Sequence, residues 1–338
     1  MLNKLKKLIV PCSPPKSVPE HRGTRSGRTS LAARHNRAAL SVPREVDDAF
    51  YGHILGVQSS TGRELNAFEK KIIRQLNRLL AADVSHSSLV PRIPDVMPRV
   101  MRSLRDQDSS AADLAGNVGR DAVLVSEVIR LANSPYYRVG EKITSLERAI
   151  VILGRNGVRQ LVVNAAFKPL INLNSGHFTG LSATTLWENS ERAAIACDCM
   201  ARQERADRFQ AYLAGIVANV GFTVALKVLD HAFDGHDAPR SESFRHLFIT
   251  RSRKLSLVIA AEWGFPEPVL EALDAQTGAP ETAKMSSLAR ILFVSDKLAK
   301  LQILSEQGRF KKDMENMARR LKASLDDYPA NCYPPLSA

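Results

Sequence analysis

The chain lacks the features of a membrane-spanning, exported or zinc-binding protein. No apolar run reaches the roughly 18 residues that a membrane-spanning helix needs. Residues 1–10, MLNKLKKLIV, contain an apolar stretch that is too short for a secretory signal. The four cysteines have no CxxC spacing, which argues against a zinc site and favours free thiols in a reducing compartment. We therefore expect a cytoplasmic protein.

Positive charge is concentrated at the N-terminus. The net charge is +12, and residues 1–44 hold ten basic residues and one acid, whereas residues 45–338 hold 37 basic and 34 acidic residues. The N-terminal segment is rich in Pro, Ser, Gly and Arg and has too little periodic apolar content to fold alone. We expect residues 1–45 to be a disordered basic leader. Weak electrostatic contact of residues 1–44 with nucleic acid or an anionic membrane is the functional alternative.

Beyond the leader, the hydrophobic pattern is helical almost throughout and predicts an all-α fold. Two prolines in SLVPRIP indicate a boundary near residue 90, which separates an N-terminal helical segment at 46–90 from the rest. Strands and helices do not alternate as they do in α/β proteins. In the N-terminal segment, apolar residues at helical spacing predict one amphipathic helix: Leu65, Phe68, Ile72, Leu76 and Leu79.

The sequence AYLAGIVANVGFTVAL, residues 211–226, predicts one buried helix with an amide in its middle. Small and apolar side chains cover nearly every face of this helix, and Asn219 interrupts them. A buried amide without partners costs roughly 1–3 kcal/mol, so its presence needs a reason.

Residues 125–163, VSEVIRLANSPYYRVGEKITSLERAIVILGRNGVRQLVV, resemble the signature of the HDOD family. These are bacterial signalling domains related to the HD-type metal phosphohydrolases. The resemblance continues through LWENSERAA, AYLAGIVANVG, AEWGFPEPVLEAL and FVSDKLA, over about residues 93–299. It implies a two-lobed helical domain at 91–310, with lobes at about 93–173 and 181–301. We also expect residues 311–338 to form a C-terminal helix and an irregular tail.

The resemblance also implies that metal ligands have been replaced. In catalytic relatives, the segment that resembles GIVANVG carries a His-Asp pair that binds a divalent metal. Here the pair is Ala218 and Asn219. An alanine methyl has no lone pair, and a neutral amide oxygen binds metal weakly. A helix that offers a histidine in such enzymes here offers Asn189, and we expect Asn189 and Asn219 to hydrogen-bond each other.

The remaining ligand positions are replaced in the same way. Gln276 and Thr277 stand where the resemblance implies paired histidines, and only Asp296 keeps a ligating side chain. One carboxylate does not hold a catalytic metal, since hydrolytic sites generally use three or more protein ligands. We therefore expect no metal, no other cofactor and no catalytic residue. The candidate residues of this relict pocket are Asn189, Ala218, Asn219, Gln276, Thr277 and Asp296.

The resemblance thus implies a non-enzymatic signalling module that acts as a helical scaffold for protein interaction. Its partners would be proteins of a signalling pathway, linked to two-component or cyclic-dinucleotide signalling. The turn RLANSPYY offers a candidate partner surface in Asn133, Pro135, Tyr136 and Tyr137. Three alternatives stay open: a sensor of nucleotides or cyclic dinucleotides that uses the relict pocket, a metal-dependent phosphohydrolase, and a nucleic-acid-binding regulator that uses the basic leader.

Overall fold

The structure is a computed structural model that describes residues 44–57, 62–84, 87–93, 96–98, 119, 122–134, 142–172, 175–278 and 284–308. Over these residues the chain is helical and contains no strand, which confirms the predicted all-α fold. Most of the basic leader, residues 135–137 and the predicted C-terminal helix and tail lie outside the described residues.

Two helices precede the boundary predicted near residue 90. Helix α1 comprises residues 44–54, and α2 runs from Ala67 to Ala81. A capping box starts α2, in which Asn66 Oδ1 accepts a hydrogen bond from the Glu69 amide at 2.7 Å and the Glu69 carboxylate accepts one from the Asn66 amide at 2.9 Å. The predicted apolar stripe of α2 packs into the core, with Phe68, Ile72 and Leu76 buried.

Helices α3 and α4 lie in the range of the first predicted lobe. Helix α3 runs from Ala122 to Ala132, and α4 runs from Leu146 to Ile171. Ser145 caps α4 by accepting a hydrogen bond from the Arg148 amide at 3.2 Å. Gly154 has φ 71°, in the left-handed region that glycine adopts readily, and this kinks α4. The two helices pack against each other.

Six helices follow in the range of the second predicted lobe. They are α5 (His177–Glu204), α6 (Arg208–Val217), α7 (Val220–Ala232), α8 (Glu242–Glu262), α9 (Glu267–Asp274) and α10 (Ser287–Glu306). The long helix α5 packs against α6, α7 and α10, and α7 packs against α8. This arrangement brings the segments that carry the relict-pocket candidates to one place in the core.

Two glycines allow close approaches between these helices. A Cβ atom added to Gly215 of α6 would lie 2.4 Å from the Ala194 Cα atom of α5. A Cβ atom added to Gly221 of α7 would lie 2.1 Å from the Ser252 carbonyl oxygen of α8. Both distances are too short for any larger residue, so the two glycines fix how tightly α6 and α7 pack on their neighbours.

Residues Arg208–Ala232, which comprise α6 and α7, are long and apolar enough to cross a membrane by length and composition alone. Within the fold, however, 89% of their most apolar 18-residue window is buried against other helices. Their apolar composition is therefore explained by their place in the core.

Candidate functional site

The sequence predicted one helix through residues 211–226, and this prediction is wrong. Helix α6 ends at Val217 and α7 begins at Val220, with Asn219 in the break at φ −103° and ψ 3°. Ser256 of α8 bridges the break: its hydroxyl donates to the Ala218 carbonyl at 2.7 Å and accepts from the Gly221 amide at 2.9 Å. A side chain from another helix thus satisfies backbone groups at the break.

The buried amide of Asn219 has a partner on α5. Its Nδ2 atom donates to the Ser190 hydroxyl at 3.0 Å, and Ser190 in turn donates to the Leu186 carbonyl at 3.1 Å. The predicted hydrogen bond between Asn189 and Asn219 is wrong, because Asn189 donates instead to Asp296 Oδ1 at 3.2 Å. The side chains of Asn189 and Ser190 are neighbours on α5 and point about 100° apart. Ser190 therefore faces Asn219, and Asn189 faces α10.

Four of the six relict-pocket candidates line one cavity. Its volume is about 20 Å³, and Ala218, Asn219, Gln276 and Asp296 form part of its wall. The remaining wall residues come from α1, α7, α8, α9 and α10. They are Tyr51, Phe222, Arg253, Ser256, Leu273 and Leu292. A space of this size holds about one water molecule.

The other two candidates differ in their distance from this cavity. Asn189 is buried next to it through its hydrogen bond with Asp296. Thr277 lies elsewhere: its hydroxyl donates to the Asp274 carbonyl at 2.8 Å, and it lines a separate surface depression.

Gln276 Nε2 donates to the carbonyls of Ala272 and Ala289 at 3.0 and 3.1 Å, which ties the end of α9 to α10.

Asp47 of α1 lies at the centre of a buried charge cluster beside the cavity. Its Oδ1 atom accepts hydrogen bonds from Lys297 Nζ at 2.6 Å and Lys300 Nζ at 2.8 Å, and its Oδ2 atom accepts one from Arg253 Nη2 at 2.7 Å. Burial disfavours the ionised carboxylate, but the three cations outweigh burial and hold the pKa of Asp47 well below its usual range. Helix α1 therefore supplies a charged residue to the interior.

Asp296 shares two of these cations. Its Oδ2 atom accepts hydrogen bonds from Lys297 Nζ at 2.9 Å and from Lys300 Nζ at 2.8 Å. Burial again opposes ionisation, yet the neighbouring lysines lower the pKa of Asp296 to about 2. The cluster of Asp47, Arg253, Asp296, Lys297 and Lys300 thus holds two carboxylates and three cations; we call it the charge cluster.

Aromatic rings enclose the charge cluster on the side of α1. Lys300 Nζ donates to the Tyr51 hydroxyl at 3.0 Å and lies 4.4 Å from the centre of the Tyr51 ring and 5.4 Å from that of Phe50. The Tyr51 ring stacks on Phe222 of α7 at 4.6 Å with an interplanar angle of 10°. The ring faces attract the ammonium and replace part of the water that it loses on burial.

The residues of the site do not fit a divalent metal. In the part of the chain that the structure describes, no three His, Cys, Asp or Glu side chains converge as a metal site would require. The cavity itself offers the amides of Asn219 and Gln276 and the carboxylate of Asp296. Both lysine ammonium groups already bond that carboxylate, so it has little capacity left for a metal.

Comparison with protein families identifies the family of the chain. The sequence model of the HDOD domain family matches residues 90–279, which is more than half of the chain. The chain belongs to the HDOD family. The match does not include α1, α2 or α10; α1 supplies Asp47, and α10 supplies Asp296, Lys297 and Lys300. Most of the charge cluster of this HDOD protein therefore comes from outside the matched residues.

Solved structures show the same fold at low sequence identity. The HDOD protein resembles a crystal structure of an HDOD domain protein of unknown function from Geobacter sulfurreducens, with a TM-score of 0.56, 20% identity, and coverage of 75% of this chain and 89% of that one. It also resembles a candidate metal-dependent phosphohydrolase from Shewanella amazonensis SB2B, with a TM-score of 0.53, 18% identity, and coverage of 77% and 100%. At such identities the likeness concerns the fold alone.

A curated relative extends beyond the matched region. An uncharacterized protein from Treponema pallidum (strain Nichols) is 20% identical over 212 residues, which is 60% of this chain. The chain covers 40% of the length of that relative.

Asn133, a candidate for the partner surface, bonds the chain's own backbone. Its Nδ2 atom donates to the Ile129 and Ile143 carbonyls at 2.8 and 2.7 Å, and its Oδ1 atom accepts from the Ile143 amide at 2.9 Å. Asn133 therefore holds together the two ends of the segment between α3 and α4. The other three candidates, Pro135, Tyr136 and Tyr137, belong to that segment and lie outside the described residues.

Sequence reasoning missed Asp47, Arg253, Lys297 and Lys300. A weak signal existed for Lys300, because a base four residues after Asp296 on a helix is placed to pair with it. Asp47 and Arg253 gave no such signal, since 206 residues separate them in the chain.

Proposed function

We propose that this HDOD domain is a signalling module that holds a protein partner and does not hydrolyse a substrate. The observation that carries the proposal is the engagement of Asp296 by Lys297 and Lys300 at 2.9 and 2.8 Å. Asp296 is the one residue at the predicted metal positions that could ligate, and two ammonium groups bond it.

The two lysines bring positive charge to Asp296 without the chemistry of a metal. A catalytic metal keeps an open coordination position, where bound water loses a proton near neutral pH. An ammonium group has no such position. A metal that displaced Lys297 and Lys300 would leave two buried cations without their partner, at a cost of several kcal/mol. The charge cluster therefore supports a non-catalytic role.

The size of the cavity favours a scaffold over a sensor of nucleotides. Ligand pockets measure roughly 300–1,000 Å³. The cavity beside Asn219 measures about 20 Å³, because Tyr51 of α1 and Phe222 of α7 fill the space around it. In this conformation the relict pocket is packed shut, which supports binding of a partner at the outer surface.

The proposed partner is a protein of a bacterial signalling pathway in the cytoplasm, linked to two-component or cyclic-dinucleotide signalling. We propose that it docks on the segment that follows α3 and carries Pro135, Tyr136 and Tyr137. Asn133 supports this choice, because its three hydrogen bonds fix the point where the segment leaves and rejoins the helices. Tyrosine is enriched at interfaces, where its ring buries area and its hydroxyl bonds a partner.

Metal analysis and activity assays test the absence of catalysis. The full chain would be incubated with Mn²⁺, Fe²⁺ or Mg²⁺, desalted and analysed for bound metal, and then assayed with nucleotides and cyclic dinucleotides. We expect no stoichiometric metal and no hydrolysis. Stoichiometric metal together with turnover would show that the protein is a phosphohydrolase.

Affinity purification from the native cell tests the scaffold role. The double variant Tyr136→Ser and Tyr137→Ser removes both rings, while the matched control Tyr136→Phe and Tyr137→Phe keeps them. We expect a defined partner to be retained by the wild-type chain, retained in part by the control and lost by the serine variant. Equal retention by all three chains would rule out this docking surface.

A further inference from the structure

One face of α2 is exposed and carries a row of cations. In an ideal helix the positions 67, 70, 71, 74, 77 and 78 lie within an arc of about 120°. All six residues are exposed, and none is acidic or large and apolar: Ala67, Lys70, Lys71, Arg74, Asn77 and Arg78. We call this surface the basic face. The opposite face of α2 packs into the core.

Within the described part of the chain, no carboxylate forms an ion pair with the basic face. The single acid of α2, Glu69, is buried on the other side, where its Oε1 atom accepts hydrogen bonds from the Arg240 and Ser241 amides at 2.7 and 2.8 Å. Among the ion pairs of the described residues, none includes a lysine or arginine of α2. The four cations are therefore available to an outside anion.

The spacing of these cations does not help the helix to form. Lys70, Arg74 and Arg78 follow one another at intervals of four residues, and like charges at this interval destabilise a helix. The row extends onto α8, because Arg251 Nε donates to Asn77 Oδ1 at 2.6 Å and so lies at the edge of the face. Arg78 lies in the last turn of α2, where the helix dipole favours a cation, but Lys70 and Arg74 have no such role.

The shape of the row fits an extended polyanion. Lys70 to Arg78 spans a rise of about 12 Å along the helix. Over that length one strand of DNA carries about three to four phosphates. A membrane surface fits less well, since helices that lie on membranes insert large apolar side chains and the apolar side of α2 is buried. The exposed large apolar residues of the described chain, Val123, Val151 and Leu181, lie on other helices.

We infer that the basic face of α2 binds the phosphate backbone of a nucleic acid. This site is separate from the charge cluster, and the inference does not depend on the proposed scaffold role. Because the contacts would go to phosphates, the binding is independent of base sequence and weakens steeply with salt.

Salt-dependent binding of the full chain tests the inference. Binding to a labelled 20-base-pair DNA duplex would be measured by fluorescence anisotropy between 50 and 200 mM salt, a range over which released counterions change affinity by orders of magnitude. The variant Lys70→Gln, Arg74→Gln and Arg78→Gln removes three cations and keeps good helix formers. The control Lys142→Gln, Arg202→Gln and Arg290→Gln removes three exposed cations elsewhere.

The leader contributes equally to DNA binding by the wild-type chain and both variants. Differences in binding between these three chains therefore report the contribution of the basic face. The slope is that of the logarithm of the association constant against the logarithm of the salt concentration. Relative to the wild-type chain, we expect its magnitude to fall by about 2–3 for the α2 variant and by less than about 1 for the control. Equal slopes for the two variants, or no binding of the wild-type chain at 50 mM salt, would overturn the inference. Tighter binding to vesicles of phosphatidylserine and phosphatidylcholine than to DNA would also overturn it.

Discussion

Asp47 and Lys297 are separated by 250 residues in the chain, and their side chains meet at 2.6 Å in the interior of the protein. This contact joins the first described helix to the last one. It places α1 against the site that, in catalytic relatives of the HDOD family, is expected to hold a metal. The N-terminal helix is therefore part of the site.

Replacing Asp47 by Asn should destabilise the protein strongly. The change would leave Lys297, Lys300 and Arg253 around a single carboxylate, and breaking a buried ion pair costs about 3–5 kcal/mol. Urea unfolding followed by circular dichroism measures this loss. Asp48→Asn is the matched control, because Asp48 is more exposed and its ion pairs with Arg44 and Arg245 should contribute less than about 1 kcal/mol. Equal losses for both variants would contradict the charge cluster's role.

Acid should destabilise the protein through the same two carboxylates. The pKa of Asp47 is held well below its usual range and that of Asp296 lies at about 2, mainly because the cations outweigh burial. A carboxylate with a lowered pKa stabilises the fold above its unfolded pKa of about 3.9, and this stabilisation is lost as the pH falls through the folded value. Stability to urea should therefore fall between about pH 4 and pH 2. The Asp47→Asn variant should show a shallower fall.

Replacing Ser256 by Ala should cost about 1–3 kcal/mol, since the Ala218 carbonyl and the Gly221 amide would each lose a partner. Ser252 lies one turn earlier on α8 and provides the control, because its buried hydroxyl oxygen has no hydrogen-bond partner. Ser252→Ala should change stability by less than about 0.5 kcal/mol or increase it. Thermal unfolding of both variants gives the comparison, and a larger loss for Ser252→Ala would refute the proposed bridge.

Replacing Gly215 by Ala should be more damaging than its small size suggests. The added methyl would lie 2.4 Å from the Ala194 Cα atom, and backbone cannot move aside as a flexible side chain can. Overpacking of this kind costs typically about 1–3 kcal/mol and sometimes more. Gly278→Ala is the control, because a Cβ atom there meets nothing within 4 Å. The difference in melting temperature between the two variants measures the effect.

Much of the fold followed from local pattern. The 3.6-residue period of apolar side chains predicted the all-α class and the buried stripe of α2, and the segment at 125–163 indicated the family. The lack of ligating side chains at Ala218 and Asn219 could also be predicted from the sequence, because ligand chemistry depends on residue type. The helix break at Asn219 could not be predicted, since Ser256 of another helix satisfies the backbone there.

The sequence by itself determined which chemical groups are available: helices with one apolar side, the amides of Asn189, Asn219 and Gln276, and a row of bases on α2. Only the tertiary structure decided which groups meet. Asn219 bonds Ser190 instead of Asn189, and Asp296 is held by two lysines that also hold Asp47. The physical reason is that hydrogen bonds and ion pairs act over about 3 Å. Partners far apart in the chain come within that distance only when the packing of the helices is fixed.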